Sequence, residues 1–403
     1  MSNSKETANQ PVTACMLGYF LYDYDARIQN YVNILMKEGY SVDVIGLGKE
    51  NYQVNSGEAK LSVIALKDRS QREKNIFHYI WNLIHFFILA MVKVSILNFR
   101  KKYRFIHVHN VPDFLVFAAW LPKLAGVKII LDIHDILPEF YAMKFQVNAN
   151  NVIITVLKYI EKLSCWFADH VIVANDIWRD TLIKRSVNAQ KCTSIINYPD
   201  TSLFHPKSEL KPETRNGCFT LIYHGTFTEY HGLDIAVKAV NILRNKIEGI
   251  KLLVYGGGTF ENNLRILIRS LGVENYIEIR EKVSLQQVPE ILKCADIGIV
   301  PKKDGLFVGE DISTKLFQYT AMGIPSVVSR TVAEQRYFRE DEIKFFTPGD
   351  PVDMARCIQE LYENPQARID MAQRALRKMD EYSLKANSKK YLGIIDSLNQ
   401  TCL

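Results

Sequence analysis

The feature that most constrains the fold of this chain is a regular alternation of short apolar, β-branched runs with helical stretches. Strand-like runs of the first half are ACMLGYFL, SVDVIGL, KLSVIAL, RFIHVHN, VKIILDIH and HVIVAN. Those of the second half are TSIIN, FTLIYHG, IKLLVYGGG, YIEIREKV, IGIVP and PSVVS. Because parallel strands need crossover connections, this alternation predicts parallel sheets with helices on both faces. Both halves contain such units, so we expect two doubly wound α/β domains rather than one wide sheet.

A polar stretch with three prolines, residues 197–217, marks the predicted boundary between these domains. The first domain is then 1–200 and the second is 208–380. Residues 381–403 contain a helical pattern that we expect to pack back onto the first domain. Since ligands of doubly wound sheets bind at the carboxyl ends of the strands, two facing domains predict a cleft between them.

Composition and cysteine usage indicate the compartment. With 48% hydrophobic and 23% charged residues in 403, the chain is typical of a soluble globular protein. Its seven cysteines are scattered, and none forms a C-x-x-C pair. A disulfide framework or a structural zinc site is therefore not expected, and a reducing cytoplasm fits best. The polar N-terminus shows no pattern of a cleaved signal peptide.

The net charge of +6 is concentrated in one stretch, residues 67–104, which contains nine basic and two acidic residues. A nucleic-acid-binding protein would distribute its positive charge differently. Inside this stretch lies the apolar run 76–99, whose one formal charge is Lys93. The run is long enough to span a bilayer, but a charge inside hydrocarbon is costly. It also contains a stripe of polar residues at helical spacing, namely Asn75, His78, Asn82 and His85.

We therefore predict an in-plane amphipathic helix whose basic ends bind anionic lipid, which makes an anionic membrane surface a partner of residues 67–104. A core helix with solvated basic flanks is one alternative, and the two arrangements are compatible because different helix faces can serve each. A membrane-spanning helix is the other alternative. It would separate the strand before residue 67 from the next strand, YRFIHVHN, which we expect in the same sheet.

The most informative motif is PKKDGLFVGEDISTKLFQYTAMGIPSVVS, which runs from a strand end through a loop into a helix. Asp311, Ser313 and Thr314 are candidates for the N-cap of a helix, whose free amides with the adjacent Lys315 make an anion site. Glu310 precedes this helix and Gln318 lies within it, so both are placed to hydrogen-bond sugar hydroxyls. A solvated loop acid and an ordinary helix-surface amide are the alternative interpretations of Glu310 and Gln318.

This segment resembles the signature of glycosyltransferase family 4, retaining enzymes of GT-B architecture in which E-x7-E precedes a Gly-x-Pro turn. Here the motif is Glu310-x7-Gln318, followed by AMGIP. The resemblance implies two Rossmann-like domains facing a central cleft, with Glu310 at the donor hexose and Gln318 at the nucleotide ribose. Gln318 departs from the family pattern, and a neutral amide makes a weaker hydrogen bond than a carboxylate.

A second resemblance lies in YHGTFTEYHGLDIAVKAV, which is similar to the family's G-R-x4-K-G turn. In that pattern Arg and Lys hold the donor diphosphate. After Gly225 the corresponding residues are Thr226 and His231, and neither carries a fixed positive charge. We expect the missing charge to come from the helix N-terminus or from basic side chains, namely Lys315, Lys302, Lys303 or a partly protonated His231. A plain strand–turn–helix joint is the alternative interpretation.

Two further segments of the second domain fall where the family binds the nucleotide. The triglycine Gly256–Gly258 permits close approach of the backbone to a ligand, and the resemblance implies Gly257 as a donor contact. Arg280, followed by Glu281 and Lys282, is expected near the base.

In the first domain, LDIHDILPE ends a strand on His134, and HVHNVPDFLVF supplies a second strand end with His109 and Asn110. The family carries a histidine at such a strand end. The resemblance therefore implies that His134 faces the anomeric region of the donor as a catalytic residue. It also implies an acceptor or phosphate side that includes His109 and Asn110. An ordinary loop after the strand is the alternative.

The first strand–helix turn, GYFLYDYDARIQNY, resembles a subset of the family with an Asp-x-Arg turn, here Asp25 and Arg27. Arg27 is expected to touch a phosphate of donor or acceptor, and a surface arginine is the alternative. Asp23 and Asp25 have the spacing of an Asp-x-Asp metal motif, but their place in the first turn indicates a structural or acceptor-facing role. We expect no metal and no cofactor beyond a nucleotide-sugar donor of UDP or GDP type.

The chain is thus interpreted as a metal-independent, retaining hexosyltransferase for cell-surface polysaccharide or glycolipid synthesis. The acceptor is expected to be a saccharide or lipid-linked saccharide, and the location cytoplasmic, at the inner face of the membrane. Because Thr226, His231 and Gln318 depart from the donor-binding pattern, a catalytically impaired GT-B scaffold or sugar-nucleotide-binding protein is the alternative. A sugar-nucleotide epimerase is a third candidate, which the basic-flanked apolar helix argues against.

Overall fold

The structure is a computed structural model, and it describes residues 12–57, 59–68, 76–145, 147–148, 151–201, 203–206, 217–305 and 309–400. Part of the predicted boundary segment, Asn75 of the polar stripe and the basic residues Arg69, Arg72 and Lys74 lie outside these ranges. The chain divides into two compact units. The first comprises Met1–Ile196 with Ser388–Leu403, and the second comprises Asn197–Asn387.

The first unit is built on a sheet that has eight strands in the described residues. They are β1 (Thr13–Leu21), β2 (Ser41–Leu47), β3 (Tyr52–Ser56), β4 (Ala59–Lys67), β5 (Phe105–His109), β6 (Lys128–Ile133), β7 (His170–Val173) and β8 (Cys192–Ser194). The order is β3-β4-β2-β1-β5-β6-β7-β8, with β3 antiparallel to β4 and the remaining pairs parallel. From β1 the chain adds strands toward one edge of the sheet, and from β5 it adds them toward the other edge. The boundary between β1 and β5 is therefore the topological switch point of this unit.

The helices of the first unit are α1 (Ala26–Lys37), α2 (Ile76–Lys101), α3 (Trp120–Leu124), α4 (Leu137–Phe145), α5 (Val152–Phe167) and α6 (Asp176–Arg185). A 3-10 segment, Asp113–Ala119, precedes α3. The sheet core is dense with branched aliphatic residues because strands covered on both faces need apolar side chains in both directions.

Helix α2 connects β4 to β5, two strands of one sheet, and contacts β1 and β4. Its length and composition alone would let it cross a membrane, but both of its ends are tied to the same sheet, so the fold excludes a spanning arrangement. The predicted polar stripe is only partly outward, because His78 and His85 are exposed but Asn82 is not. Asn82 is buried and accepts a hydrogen bond from Lys67 Nζ at 2.7 Å, whereas the outward positions are mostly apolar.

The end of α2 is fixed by a charge inside the sheet. Asp43 of β2 is buried, and both of its carboxylate oxygens accept from Lys101 Nζ, at 2.7 and 2.8 Å. The Tyr103 hydroxyl donates to the same carboxylate at 2.5 Å. Lys101 is therefore a structural residue rather than a solvated member of the basic stretch.

The second unit contains a six-stranded sheet in its described residues. The strands are β9 (Phe219–Thr226), β10 (Ile250–Gly257), β11 (Ile277–Arg280), β12 (Ile297–Val300), β13 (Ser326–Ser329) and β14 (Lys344–Phe346). Their order is β11-β10-β9-β12-β13-β14, and every pair is parallel. This is a doubly wound sheet with its switch point between β9 and β12, so the predicted α/β class is confirmed.

The helices of the second unit are α7 (Leu233–Leu243), α8 (Glu261–Leu271), α9 (Val288–Leu292), α10 (Thr314–Ala321), α11 (Val332–Tyr337), α12 (Pro351–Glu363) and α13 (Pro365–Lys378). A last helix, α14 (Leu384–Gln400), enters the first unit from Ser388 onward. There Tyr391 packs on Tyr31 with ring centroids 4.5 Å apart, and its hydroxyl lies 3.0 Å from His107 Nδ1.

Two of the three glycines that end β10 are required by packing within the sheet. Gly256 pairs with Gly225 of β9 and has φ +145°, and a Cβ placed on it would lie 1.9 Å from the Gly225 carbonyl oxygen. A Cβ on Gly258 would lie 2.4 Å from the Phe227 carbonyl oxygen. At Gly257, by contrast, the first atom met is Glu261 Oε2 at 3.5 Å. Gly257 is the member of the triglycine that can carry a side chain.

We predict that Lys101→Ala destabilises the first unit, because the buried Asp43 carboxylate loses its cation. The lysine side chain is 38% exposed, so we expect a loss of about 1–2 kcal/mol rather than the larger cost of breaking a fully buried pair. All four tryptophans lie in this unit, so tryptophan fluorescence during urea unfolding measures it directly. Arg100→Ala, on the same exposed turn, is the control and should leave the midpoint unchanged. Equal midpoints for the two variants would contradict the structural role of Lys101.

We also predict that Gly256→Ala destabilises the second unit by about 1–3 kcal/mol, the usual cost of a strained backbone conformation, whereas Gly257→Ala is tolerated. Calorimetric unfolding of both variants measures the difference. A Gly257→Ala variant as unstable as Gly256→Ala would show that the two positions are equally constrained.

Candidate active site

The residues that the sequence motifs select in the second unit gather at the carboxyl ends of β9 and β12. Gly225 and Thr226 end β9, and the loop that follows β12 begins with Pro301 and Lys302. Gly232, with φ +68°, lets the turn after β9 approach this loop, because a Cβ there would lie 1.7 Å from the Pro301 carbonyl oxygen. The turn, the loop and the start of α10 are thus assembled around the switch point, where doubly wound sheets bind their ligands.

Lys315 supplies a positive charge at the end of β9. Its side chain lies against Gly225, where a Cβ would be 2.6 Å from Lys315 Cε and 3.2 Å from Nζ. The ammonium also lies 5.1 Å from the centre of the Tyr223 ring, in cation–π range. Among the described residues no carboxylate forms an ion pair with it. Burial, with help from Lys302, lowers the pKa of Lys315 to about 8, against the opposing effect of Asp311 and Glu334.

A buried carboxylate, that of Glu334, holds the start of α10 in place. Glu334 of α11 is fully buried and forms an ion pair with Lys302 at 2.7 Å. It also accepts from the Thr331 hydroxyl and lies 3.4 Å from the Ser313 amide. Lys302 in turn donates to the Asp311 carbonyl oxygen. Its charge is therefore balanced inside the protein, and it does not replace the cations that the family motif places in the turn.

Ser313 is the N-cap residue of α10, and Thr314 and Lys315 are its first two helical residues, as the motif predicts. The Ser313 hydroxyl is buried without a hydrogen-bond partner in the described part of the chain. Thr314 is exposed, Glu310 is half-buried in the turn before the helix, and Gln318 is half-buried on its second turn. The first-turn amides of a helix have no intrahelical acceptors, so this end of α10 favours an anion.

His231 does not supply the positive charge expected of it. Its Nδ1 lies 2.8 Å from the Thr226 carbonyl oxygen and 2.9 Å from the Thr228 hydroxyl. Burial, followed by the charge of Lys315, lowers the pKa of His231 to about 3. The imidazole is neutral at physiological pH, and its role is to close the turn after β9.

Lys303 and Arg280 are also engaged with carboxylates. Lys303 Nζ lies 3.4 Å from Asp234 and 3.6 Å from Glu229. Arg280 pairs with Glu278 through two hydrogen bonds of 2.8 Å and donates to the Tyr255 hydroxyl, while its guanidinium stays 42% exposed. Arg280 therefore offers a flat, partly exposed guanidinium at the end of β11.

The first unit contains a buried polar cluster at the ends of β5 and β6. Asp132 is fully buried and accepts two hydrogen bonds of 2.8 Å from Arg27, whose guanidinium also donates to the Ile195 carbonyl oxygen at 2.6 Å. Arg27 was expected beside a phosphate or on the surface, and the structure instead buries it as the ion-pair partner of Asp132. Burial alone would raise the pKa of Asp132, but Arg27 and His134 hold it well below the usual range.

His134 is the accessible member of this cluster, with its side chain 21% exposed. Its Nε2 lies 3.1 Å from Asp132 Oδ2 and 3.2 Å from His109 Nδ1. His109 is buried, and desolvation lowers its pKa despite the neighbouring Asp132. His109 is thus a neutral partner inside the cluster rather than a residue that faces an acceptor.

Asn110 holds the His134 loop in place. Its side-chain oxygen accepts from the His134 amide at 2.8 Å, and its side-chain nitrogen donates to the Asp135 carbonyl oxygen and to Asp113, each at 2.8 Å. Since Asn110 is also buried, its role in the structure is to position the loop that presents His134.

His107, His109 and Asp132 bring three possible metal-ligand atoms within 4.8 Å of one another. Both Asp132 oxygens already accept hydrogen bonds from Arg27. A metal ion there would lie beside the guanidinium, whose positive charge would repel it. The Asp-x-Asp pair of the first turn is engaged as well. Asp23 accepts from the Tyr52 hydroxyl at 2.5 Å, and Asp25 caps α1 by accepting from the Ile28 amide at 3.1 Å.

Two residues of these clusters were missed by sequence reasoning. Glu334 lies in TVAEQR and Asp132 inside the strand LDIHD. The Asp132 carboxylate in an otherwise apolar strand is a signal, because a buried charge requires a partner. Glu334 gives no such signal, since an acid in the first turn of a helix is commonplace.

Comparison with family models divides the chain in the same way as the structure. Residues 24–197 match the model described as glycosyl transferase 4-like domain, and residues 218–364 match the model described as glycosyl transferases group 1. A protein of Haemophilus influenzae, named as an uncharacterized glycosyltransferase, is 23% identical over 376 residues, which cover 91% of this chain and 94% of that protein.

Solved structures resemble the fold over nearly its whole length. Sucrose-phosphate synthase of Thermosynechococcus elongatus superposes with a TM-score of 0.72 at 14% identity, covering 97% of this chain and 100% of that one. HepE of Anabaena, solved in complex with UDP, gives a TM-score of 0.71 at 13% identity, covering 96% and 100%. The solved structures show that the fold is GT-B. The two family models together account for most of the chain, and the protein belongs to the glycosyltransferases that they describe.

Proposed function

We propose that this glycosyltransferase moves a hexose-type sugar from a nucleotide diphosphate donor to a saccharide or lipid-linked acceptor, with retention. The observation that carries the proposal is the Lys315 ammonium beside the N-terminus of α10, at the switch point of the second unit. A diphosphate needs both fixed positive charge and directed hydrogen-bond donors, and this is where the second unit offers both. That HepE is solved with UDP supports a uridine nucleotide as the first donor to test.

In this proposal Lys315 replaces the two cations that the family motif places in the turn after β9. The first-turn amides of α10 and the Ser313 hydroxyl hydrogen-bond the phosphate oxygens, and Lys315 stabilises the charge that develops on the departing nucleotide. Glu310 binds a hydroxyl of the hexose, Gln318 binds the ribose, and Arg280 lies at the base. Because protein groups meet the diphosphate charge, we expect transfer to persist in EDTA.

The proposed role of His134 is a contact with the reacting sugar. Its support is the geometry of the first unit, in which a partly exposed imidazole is fixed by Asp132 on its side chain and by Asn110 on its backbone. A ring held in one orientation loses little entropy when it meets a substrate, which is the advantage of such preorganisation.

We further propose that the protein acts in cell-surface polysaccharide or glycolipid synthesis, in the cytoplasm and at the inner face of the membrane. Support comes from the basic stretch at residues 67–104 and from the outward apolar face of α2. A lipid-linked acceptor would be presented at such a surface.

A donor-binding protein without transfer activity is the second candidate. The neutral state of His231 and the neutral amide of Gln318 favour it. Each is expected to bind a nucleotide diphosphate more weakly than the charged residue that the family pattern has at that position. Donor hydrolysis separates the two candidates. A transferase hydrolyses its correct nucleotide sugar slowly without acceptor, whereas a binding protein leaves it intact. A screen of UDP, GDP and ADP sugars by thermal shift and by product analysis decides between them.

We predict that Lys315→Met weakens UDP binding at least about tenfold at pH 7, because a charge-assisted contact with the diphosphate is lost. Lys303→Met is the control, since Lys303 is already shared between two carboxylates, and we expect a much smaller change. Isothermal titration calorimetry measures both. Equal effects would assign the diphosphate to another part of the loop.

The wild-type protein should also bind UDP in a pH-dependent way. The pKa of Lys315 is lowered to about 8 in the free protein, so the ammonium is charged at pH 7 and loses its proton above pH 8. A bound diphosphate favours the charged form, so the Kd should rise by about twofold from pH 7 to pH 8 and by up to about tenfold per pH unit above that. Lys315→Met should abolish this rise, and a rise that survives in that variant would point to another group.

We predict that Glu310→Gln lowers donor hydrolysis and sugar transfer by about 10–100-fold while UDP binding is retained. The amide keeps the shape of the side chain but loses the charge-assisted hydrogen bond to the sugar. Glu248→Gln, an exposed acid of the same unit, is the matched control. Near-normal turnover of Glu310→Gln would remove Glu310 from the site.

A further inference from the structure

In the part of the chain that the structure describes, exposed large apolar side chains are concentrated on three neighbouring helices of the first unit. Among the described residues, 25 large apolar side chains are exposed, and 16 of them lie on α2, α3 and α5. Single exposed apolar residues are common on soluble proteins, whereas a cluster of them marks a surface that binds a membrane, another protein or a ligand.

On α2 the exposed residues follow one helical face at intervals of three or four, and they are Trp81, Ile84, Ile88, Val92, Ile96 and Phe99. On α5 the same spacing produces a second stripe, which consists of Val152, Val156, Tyr159, Leu163 and Trp166. Helix α3, between them in the chain, exposes Trp120, Leu121 and Leu124.

Aromatic contacts link these helices into one layer. Phe87 of α2 meets Phe114 of the 3-10 segment before α3, with ring centroids 5.8 Å apart. Phe167 of α5 then meets Phe117 at 5.1 Å and Trp120 at 5.7 Å. Since α2, the 3-10 segment with α3, and α5 are neighbours in this order, we name their outward apolar residues the three-helix face.

The charges of these helices are almost entirely of one sign. In the whole of α2, α3 and α5 the only acidic residue is Glu161, which is 1% exposed and paired with Arg185 at 2.6 Å. The basic residues that remain for an anionic partner are Lys93 and Arg100 in the second half of α2 and Lys158 and Lys162 in the middle of α5. Lys101 and Lys123 are paired with Asp43 and Asp169 and are not counted with them.

We propose that the three-helix face docks the protein in the plane of an anionic lipid bilayer, with α5 and α3 contributing as well as α2. Amphipathic helices that lie in the interface combine an apolar stripe with flanking Lys and Arg, and their tryptophans and tyrosines sit at the headgroup level. Three of the four tryptophans of the chain, Trp81, Trp120 and Trp166, are 66%, 49% and 73% exposed on this face. A second copy of the chain is disfavoured as the occupant, because it would bring two basic surfaces together.

This inference deepens the membrane association proposed above and is independent of sugar transfer. The test is flotation of the full chain with vesicles of phosphatidylcholine and phosphatidylglycerol at 7:3, compared with pure phosphatidylcholine, in about 0.15 M salt. The α5 variant combines Val156→Ser, Tyr159→Ser and Trp166→Ser, and the α2 variant combines Ile84→Ser, Ile88→Ser and Val92→Ser.

The matched control replaces three equally exposed apolar residues of the second unit, Ile266, Val332 and Val352, each 64% exposed, with Ser. We expect the α5 and α2 variants each to lose at least about tenfold in partition to anionic vesicles, and the control to bind like the wild type. Lys158→Ser with Lys162→Ser should weaken binding to the anionic vesicles more than to the neutral ones.

An α5 variant that floats like the wild type would remove α5 from the surface, and a wild type that ignores anionic vesicles would overturn the proposal. If light scattering shows a dimer that the α5 variant dissociates, the face binds a second copy instead. UDP binding is measured on each variant in solution. If a variant of the three-helix face loses flotation but still binds UDP, the proposed donor site is unaffected. If Lys315→Met loses UDP binding but still floats with the vesicles, the proposed membrane face is unaffected.

Discussion

A single buried carboxylate, Glu334, sets the geometry of the candidate donor site. It connects the loop after β12, the residue before α10 and the residue before α11 through Lys302, Ser313 and Thr331. Burying a charge is costly unless it is paired and hydrogen-bonded, and all three segments supply those partners at once. Lys302 and the start of α10 are therefore held by one carboxylate, which positions the first-turn amides and Lys315.

Each unit contains a buried carboxylate that is neutralised by a buried basic side chain. In the first unit Arg27 neutralises Asp132 inside the sheet, and in the second Lys302 neutralises Glu334. In both, a further basic or ionisable side chain lies near the neutralised pair and is partly exposed, His134 in the first and Lys315 in the second. Because Lys302 neutralises Glu334, the charge of Lys315 remains available to an anionic ligand, whereas His134 is held in place by Asp132.

The sequence predicts the fold class well because parallel strands covered on both faces must be apolar throughout. The start of α10 is likewise evident from Ser313 and Thr314. Strand β3 escapes sequence analysis because all five of its residues are exposed, so it lacks the alternation that marks a half-buried strand. The ion pair of Arg27 with Asp132 spans 105 positions in the chain, and no local pattern reports such a partner. The neutral state of His231 depends on burial and on Lys315, which only the folded chain brings together.

The path of the chain through the two units has a consequence for synthesis. The second unit is one continuous segment, Asn197–Asn387, whereas the first also needs Ser388–Leu403. Tyr391, which packs on Tyr31 and lies 3.0 Å from His107 Nδ1, is synthesised only after the whole of the second unit. During synthesis the sheet of the first unit is therefore incomplete, and His107 of β5 is not covered by Tyr391 until the second unit has been translated.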